Sequence, residues 1–183
     1  MNQNKGKNGK KFEDDFMNSC PNHILMKRLN DNASGWADGT KTRFASKNEC
    51  DFICHDANTG IFYGLELKST EGSSFTYWKE DFEEESKKKN KNPTYMIKKN
   101  QILGLQKWAD NHPGVYGFIF HFIKKDGVTY YVSIQNFLKY TKKLNKKSLA
   151  LKDIKNMTPI LIKNKKKRTR YRYDLDSFFL NFN

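Results

Sequence analysis

Four charged side chains lie close together between residues 48 and 68: Glu49, Asp51, Glu66 and Lys68. Crowded carboxylates repel, so such a cluster asks for a counter-charge. A hard divalent cation such as Mg²⁺ supplies one, because it takes oxygen ligands and keeps several waters. A lysine beside such an ion can orient a water or steady charge on a phosphate that is changing bonds. Metal-assisted phosphodiester hydrolysis is the chemistry this set allows. The competing reading is a solvated sheet face carrying two ion pairs.

The local sequence explains how the four would meet. Two runs rich in aromatic and apolar residues flank Ala-Asn-Thr-Gly at 57–60, the pattern of a β-hairpin. A loop over 57–60 sets Asp51 opposite Glu66 and Glu49 opposite Lys68. Side chains alternate between faces along a strand. Glu49, Asp51, Glu66 and Lys68 then share one face, and Cys50, Phe52, Cys54, Tyr63, Leu65 and Leu67 form an apolar floor on the other.

The remaining segments supply a scaffold. Residues 1–8 are polar and lysine-rich and read as a mobile basic arm. Residues 9–19 suit a helix with Phe12, Phe16 and Met17 on one face, ended by Pro21. Residues 23–29 suit a first strand or a short helix. Residues 31–47 form a long polar loop in which Lys41 and Arg43 can meet a phosphate. Residues 78–92 read as a solvated, charged helical insertion, with Glu83–Lys87, Glu84–Lys88 and Glu85–Lys89 in the favourable acid-first order. Residues 97–110 give the clearest core helix, with Ile97, Ile102, Leu105, Trp108 and Ala109 on one stripe. Gln101 lies on that stripe, and an inward glutamine needs a polar partner. Residues 115–123 and 128–134 are aromatic-rich strands joined by Lys125-Asp-Gly, and 135–144 suggests a helix. A basic stretch then culminates at 164–173, where Lys165, Lys166, Lys167, Arg168, Arg170 and Arg172 interleave with Tyr171 and Tyr173. That pattern suits phosphate contact with base stacking, or else a solvated linker, or a strand paired with acidic neighbours. Leu175, Phe178, Phe179 and Leu180 dock the end of the chain.

The chain of 183 residues fits a single domain, with 34 Lys and Arg against 20 Asp and Glu, a net charge of +14. Such an excess favours a polyanion, nucleic acid first. There is no apolar run of transmembrane length and no signal-peptide core, so a cytoplasmic location with no membrane partner is expected. The three cysteines, Cys20, Cys50 and Cys54, lack a Cys-x-x-Cys pair and read as free thiols. None of the four histidines shows ligand spacing, and no organic cofactor is indicated.

Taken in order, Lys-Asn-Gly-Lys-Lys-Phe-Glu at 7–13, the 48–68 hairpin, Lys-Lys-Asn-Gln at 98–101 and Tyr-Gly-Phe-Ile-Phe-His-Phe at 116–122 resemble the RecU-type Holliday-junction resolvases of the PD-(D/E)xK superfamily. The resemblance covers roughly residues 5–140. It implies an α/β fold of the restriction-endonuclease-like kind, a mixed central β-sheet flanked by α-helices. It implies a homodimer that cuts DNA four-way junctions with Mg²⁺, for which Mn²⁺ may substitute. It assigns Asp51 and Glu66, with the Leu67 carbonyl, to the metal, adds Gln101 as a further ligand and brings Glu13 of the first helix to the site, and the local carboxylate cluster adds Glu49. It makes Lys68 the catalytic lysine, and the DNA grip would come from Lys10, Lys11, Lys41, Arg43 and the 165–172 cations. Glu49 departs from the family, which usually has threonine there, and the 78–92 insertion is also unexpected. Alternatives are a restriction-type endonuclease on duplex DNA and a noncatalytic DNA-binding protein.

Overall fold

A computed structural model describes residues 3–29, 48–88 and 93–183, the side chains of 3–6, 86 and 87 excepted. The chain is α/β. Helix α1 (Gln3–Met17) leads into strands β1 (Ile24–Arg28), β2 (Phe52–Asp56) and β3 (Phe62–Thr70). A short strand β4 (Ser74–Thr76) and helices α2 (Glu80–Lys88) and α3 (Lys99–Asn111) follow, then β5 (Val115–Phe122) and β6 (Val128–Ser133). The chain continues through α4 (Ile134–Lys142), β7 (Ser148–Ala150), α5 (Leu151–Lys155), β8 (Ile160–Leu161), β9 (Asn164–Lys167), β10 (Arg170–Tyr173) and α6 (Leu175–Phe179).

Six strands form one sheet in the order β1-β2-β3-β5-β6-β8. Every pairing is antiparallel except β3 with β5, which is parallel. A parallel pair needs a crossover, and α3 lies within it. The sheet is therefore mixed, as expected. Two small ribbons, β4–β7 and β9–β10, sit outside it.

Both faces of the sheet are covered, which corrects the expected division into a floor and an open acidic face. On one side Ile102 and Leu105 of α3 and Phe137 of α4 pack on Phe118 and Phe120. On the other, Phe12 and Phe16 of α1, Tyr171, Tyr173 and the α6 phenylalanines pack on Leu65 and Ile119. This explains why β5 is almost uninterruptedly aromatic and apolar: a strand covered on two sides has no solvent face to mark with polar residues. Its one histidine, His121, is buried, bonds Thr129 Oγ1 through Nδ1 at 2.8 Å, and stacks on Phe12 with ring centroids 4.8 Å apart. The β5–β6 turn forms at Asp126 and Gly127, both at positive φ (53° and 67°), as tight hairpins require.

Several expectations change. Residues 23–29 do contain the first strand. The expected mobile arm is instead helical from Gln3, and Asn8 Nδ2 donates to Glu71 Oε1 at 2.7 Å, tying the start of α1 to the end of β3. Of the expected 78–92 segment, the part described, to Lys88, is anchored to the core by buried Phe82, while Glu80, Asp81, Glu84, Glu85 and Lys88 are exposed. Its acids reach across the fold: Glu85 pairs with Lys147 at 2.7 Å, and Glu83 accepts the Trp78 indole N–H at 2.7 Å. The basic stretch before residue 164 contains β7, α5 and β8. It is anchored by buried Asp153, which accepts from Lys146 at 2.6 Å, the Ala150 N–H at 2.7 Å and Tyr140 at 3.1 Å. Burial raises the Asp153 carboxyl, but these donors outweigh it and hold it below its ordinary value. Leu180, expected to dock, is exposed. Among the described residues no helix is long and apolar enough to cross a membrane.

Candidate active site

The hairpin register is the expected one. Phe52 pairs with Leu65 and His55 with Phe62, which sets Asp51 beside Glu66. The ladder ends there, with the Asp51 N–H donating to Leu65 O at 3.1 Å. Strand β3 runs on past β2, and the next inward N–H, that of Leu67, is taken by the Asp51 side chain, Oδ2 at 2.7 Å. The Asp51 carbonyl accepts from the Leu29 N–H at 2.8 Å. Asp51 thus replaces a missing rung between two strands that part, and it is held from both sides.

Glu66 points to the α3 side and is 1% exposed. Its Oε1 accepts from Lys68 Nζ at 2.5 Å and from Gln101 Nε2, and its carboxyl is hydrogen-bonded to Asp51. Burial pushes the Glu66 carboxyl up to about 8; Lys68 opposes this and Asp51 reinforces it. The Lys68 ammonium is the counter-charge that this pair of carboxyls already has.

Glu13 reaches the same gap from the α1 side. It is ion-paired with Arg28, whose guanidinium also lies 3.9 Å from Asp14. Burial pushes Glu13 up to about 7; Asp51 adds to the rise, and Arg28 and Lys68 oppose it. Asp51 and Lys68 therefore stand between a carboxyl from each side of the sheet. Arg28 is the residue sequence reasoning missed. It is the last residue of β1 and carries no motif, so only the pairing of β1 with β2, Arg28 opposite Phe52, brings it here.

Two expected ligands are placed differently. Glu49 does not pair across from Lys68, because the ladder has ended. Its side chain packs instead on α3 at Gly104, where an added Cβ would lie 2.2 Å from Glu49 Cγ. Gln101 does meet Glu66, but through its NH₂ group. Its Oε1, the atom able to bind a metal, accepts the Lys98 N–H at 2.9 Å. Gln101 thus orients Glu66 rather than offering a ligand. Cys50 also departs from its expected face: it packs in the α3-side core, away from Phe52 and Cys54. Burial, with Glu66, Asp51 and Glu49 nearby, pushes its thiol up. The three cysteines are free, as expected.

The expected DNA contacts divide. Lys165, Lys166, Lys167, Arg168 and Arg172 are exposed on the β9–β10 ribbon, and Lys10 is exposed on α1 with Lys11 half-buried. Arg170 is committed elsewhere: its Nε lies 2.5 Å from Oδ1 of buried Asp15, whose Oδ2 accepts the Tyr171 N–H at 2.9 Å. Tyr171 and Tyr173 are buried against His121 and Phe12, so their faces are not offered to bases. The strand period of two sends them to the core and their neighbours to solvent. Lys41, Arg43 and the rest of the expected 31–47 loop lie outside the described residues.

Among the described residues no group of three or more His, Cys, Asp and Glu side chains is placed to hold a metal. The donors that are in contact are the Asp51 and Glu66 carboxyls. That set fits Mg²⁺, which is bound through one or two carboxylates with waters and substrate phosphate, and does not fit a structural zinc site. The chain matches no protein-family model and no curated protein.

Proposed function

We propose that this protein is a metal-dependent endodeoxyribonuclease that resolves DNA four-way junctions, acting in the cytoplasm as a homodimer in the manner of the RecU-type resolvases it resembles. The observation that supports this reading best is the hydrogen-bonded Asp51–Glu66 pair with Lys68 bonded to it at 2.5 Å. Asp51 and Glu66 would hold Mg²⁺ or Mn²⁺. When bound, the ion supplies Lewis acidity toward a phosphoryl oxygen and makes water a better nucleophile near neutral pH. Gln101 keeps Glu66 turned toward Asp51. Lys68 carries positive charge to where charge grows on the phosphate. Glu13, pushed up to about 7, can accept a proton from water near neutral pH, and Arg28 holds it in place.

The test is incubation with Mg²⁺ and either a four-way junction or a matched linear duplex. Paired symmetrical nicks in the junction are expected. Asp51→Asn and Glu66→Gln should each abolish cleavage while DNA binding persists. Near-normal cleavage by either folded variant would remove the site assignment. Cutting of the duplex in preference to the junction would point to a restriction-type enzyme.

A further inference from the structure

The β9–β10 ribbon is built as a one-sided basic surface. Residue pairs across it are Lys165 with Arg172, Lys166 with Tyr171 and Lys167 with Arg170, closed by a turn at Arg168, whose φ is 53°. Directly opposed residues share a face. Tyr171, Tyr173 and Asn164 face inward; Asn164 Nδ2 bonds the Gly127 carbonyl at 2.8 Å. Lys165, Lys167 and Arg172 face outward with Arg170, whose guanidinium is taken by Asp15, and Lys166 lies on the inward side beside Tyr171. Lys165, Lys166, Lys167, Arg168 and Arg172 are exposed, and among the described residues none of the five makes an ion pair. On the inward side of the ribbon a separate cleft is lined by Ile123, Lys124, Asp126, Lys166 and Tyr171.

We propose that this surface, the outer face of the ribbon, binds the phosphate backbone of double-stranded nucleic acid and does not hold single strands. Charge names a polyanion, and three features name a duplex. The ribbon is pinned rigidly to α1 by Arg170 and Tyr171 on Asp15 and by the Tyr173 N–H on Ser19 Oγ at 3.1 Å. Sequence-tolerant capture of single strands relies on aromatic faces for successive bases, and both ribbon tyrosines are spent in the core. A two-stranded ribbon is also of a width that a duplex groove admits, with contacts to the flanking phosphates. The inference rests on the nucleic-acid reading but not on cleavage.

The test is binding in EDTA, where no metal-dependent cutting occurs. A labelled duplex, either of its single strands at equal length, polyglutamate and anionic phosphatidylserine vesicles are titrated against the full chain. The wild-type protein should bind the duplex at least tenfold more tightly than the single strand. The Lys165→Gln/Lys167→Gln/Arg172→Gln variant should lose duplex affinity, and its slope of log K against log[salt] should be shallower by up to about 2.7, roughly 0.9 per phosphate contact. Equal affinity for single strands, an unaltered slope in the triple variant, or tighter binding to polyglutamate or vesicles would each overturn the proposal. Loss of cleavage with duplex binding intact would count against the nuclease reading alone.

Discussion

Glu66→Gln isolates the most consequential electrostatic feature of the fold. In the metal-free protein Glu66 is lifted from 4.5 to about 8, first by burial. Below pH 4.5 both folded and unfolded chains hold this proton, and it makes no difference to stability. Between the two values the unfolded chain releases it while the folded chain keeps it. The native state then binds more protons, and stability falls as pH rises. Above about 8 the full cost is present. At about 1.4 kcal/mol per unit the shift corresponds to a few kcal/mol, on the order of 5. For a domain of this size that is roughly 10–20 °C in Tm. Glutamine keeps an oxygen for Lys68 and Gln101 and offers an N–H to Asp51, so the variant should fold and lack this pH dependence. The assay is thermal unfolding from pH 4 to 9 in EDTA for both proteins. A residual fall toward pH 7 belongs to Glu13. Mg²⁺ added at pH 8 should raise the wild-type Tm and release protons into a weak buffer, and should do neither in Glu66→Gln. Superimposable pH profiles for the two proteins would refute the reasoning.

Three further outcomes follow from the packing. Gly104→Ala should destabilise by about 1–3 kcal/mol despite alanine's better helix propensity, because its Cβ overlaps Glu49; Glu49→Gly in the same chain should recover most of the loss in denaturant titrations. Arg170→Gln leaves Asp15 buried without its cation and should cost on the order of 3 kcal/mol, whereas Lys165→Gln on the same ribbon should stay within about 0.5 kcal/mol. His121 is held down to about 4 by burial, so stability should climb with pH from about 4 to 6.5, where only the unfolded chain carries that proton. His121→Gln, monitored by the same unfolding titration, should flatten that acid limb.

Much of this was legible from local pattern. The 57–60 turn and the alternation around it set the hairpin register, and that register alone makes Asp51 and Glu66 neighbours. Aromatic enrichment on either side of Lys125-Asp-Gly located the next two strands, and the 3.6-residue stripe located α3 with Gln101 turned inward. These are one-dimensional signals, because the backbone geometry of a strand or helix repeats without reference to the rest of the fold.

Tertiary structure decided what the local pattern left open. Where β2 stops pairing with β3 determines that Asp51 bonds the Leu67 N–H while Glu49 swings to Gly104, a contact between residues far apart in the chain. Alternation assigns a side chain to a face but not to what covers that face, so the burial of Glu66, and with it the height of its pKa, depends on where α3 docks. The 165–172 run is uniform in charge along the sequence. Only the packing of Tyr171 and Tyr173 beneath it, and the buried Asp15 that claims Arg170, separate the cations that face solvent from the one that holds the ribbon in place.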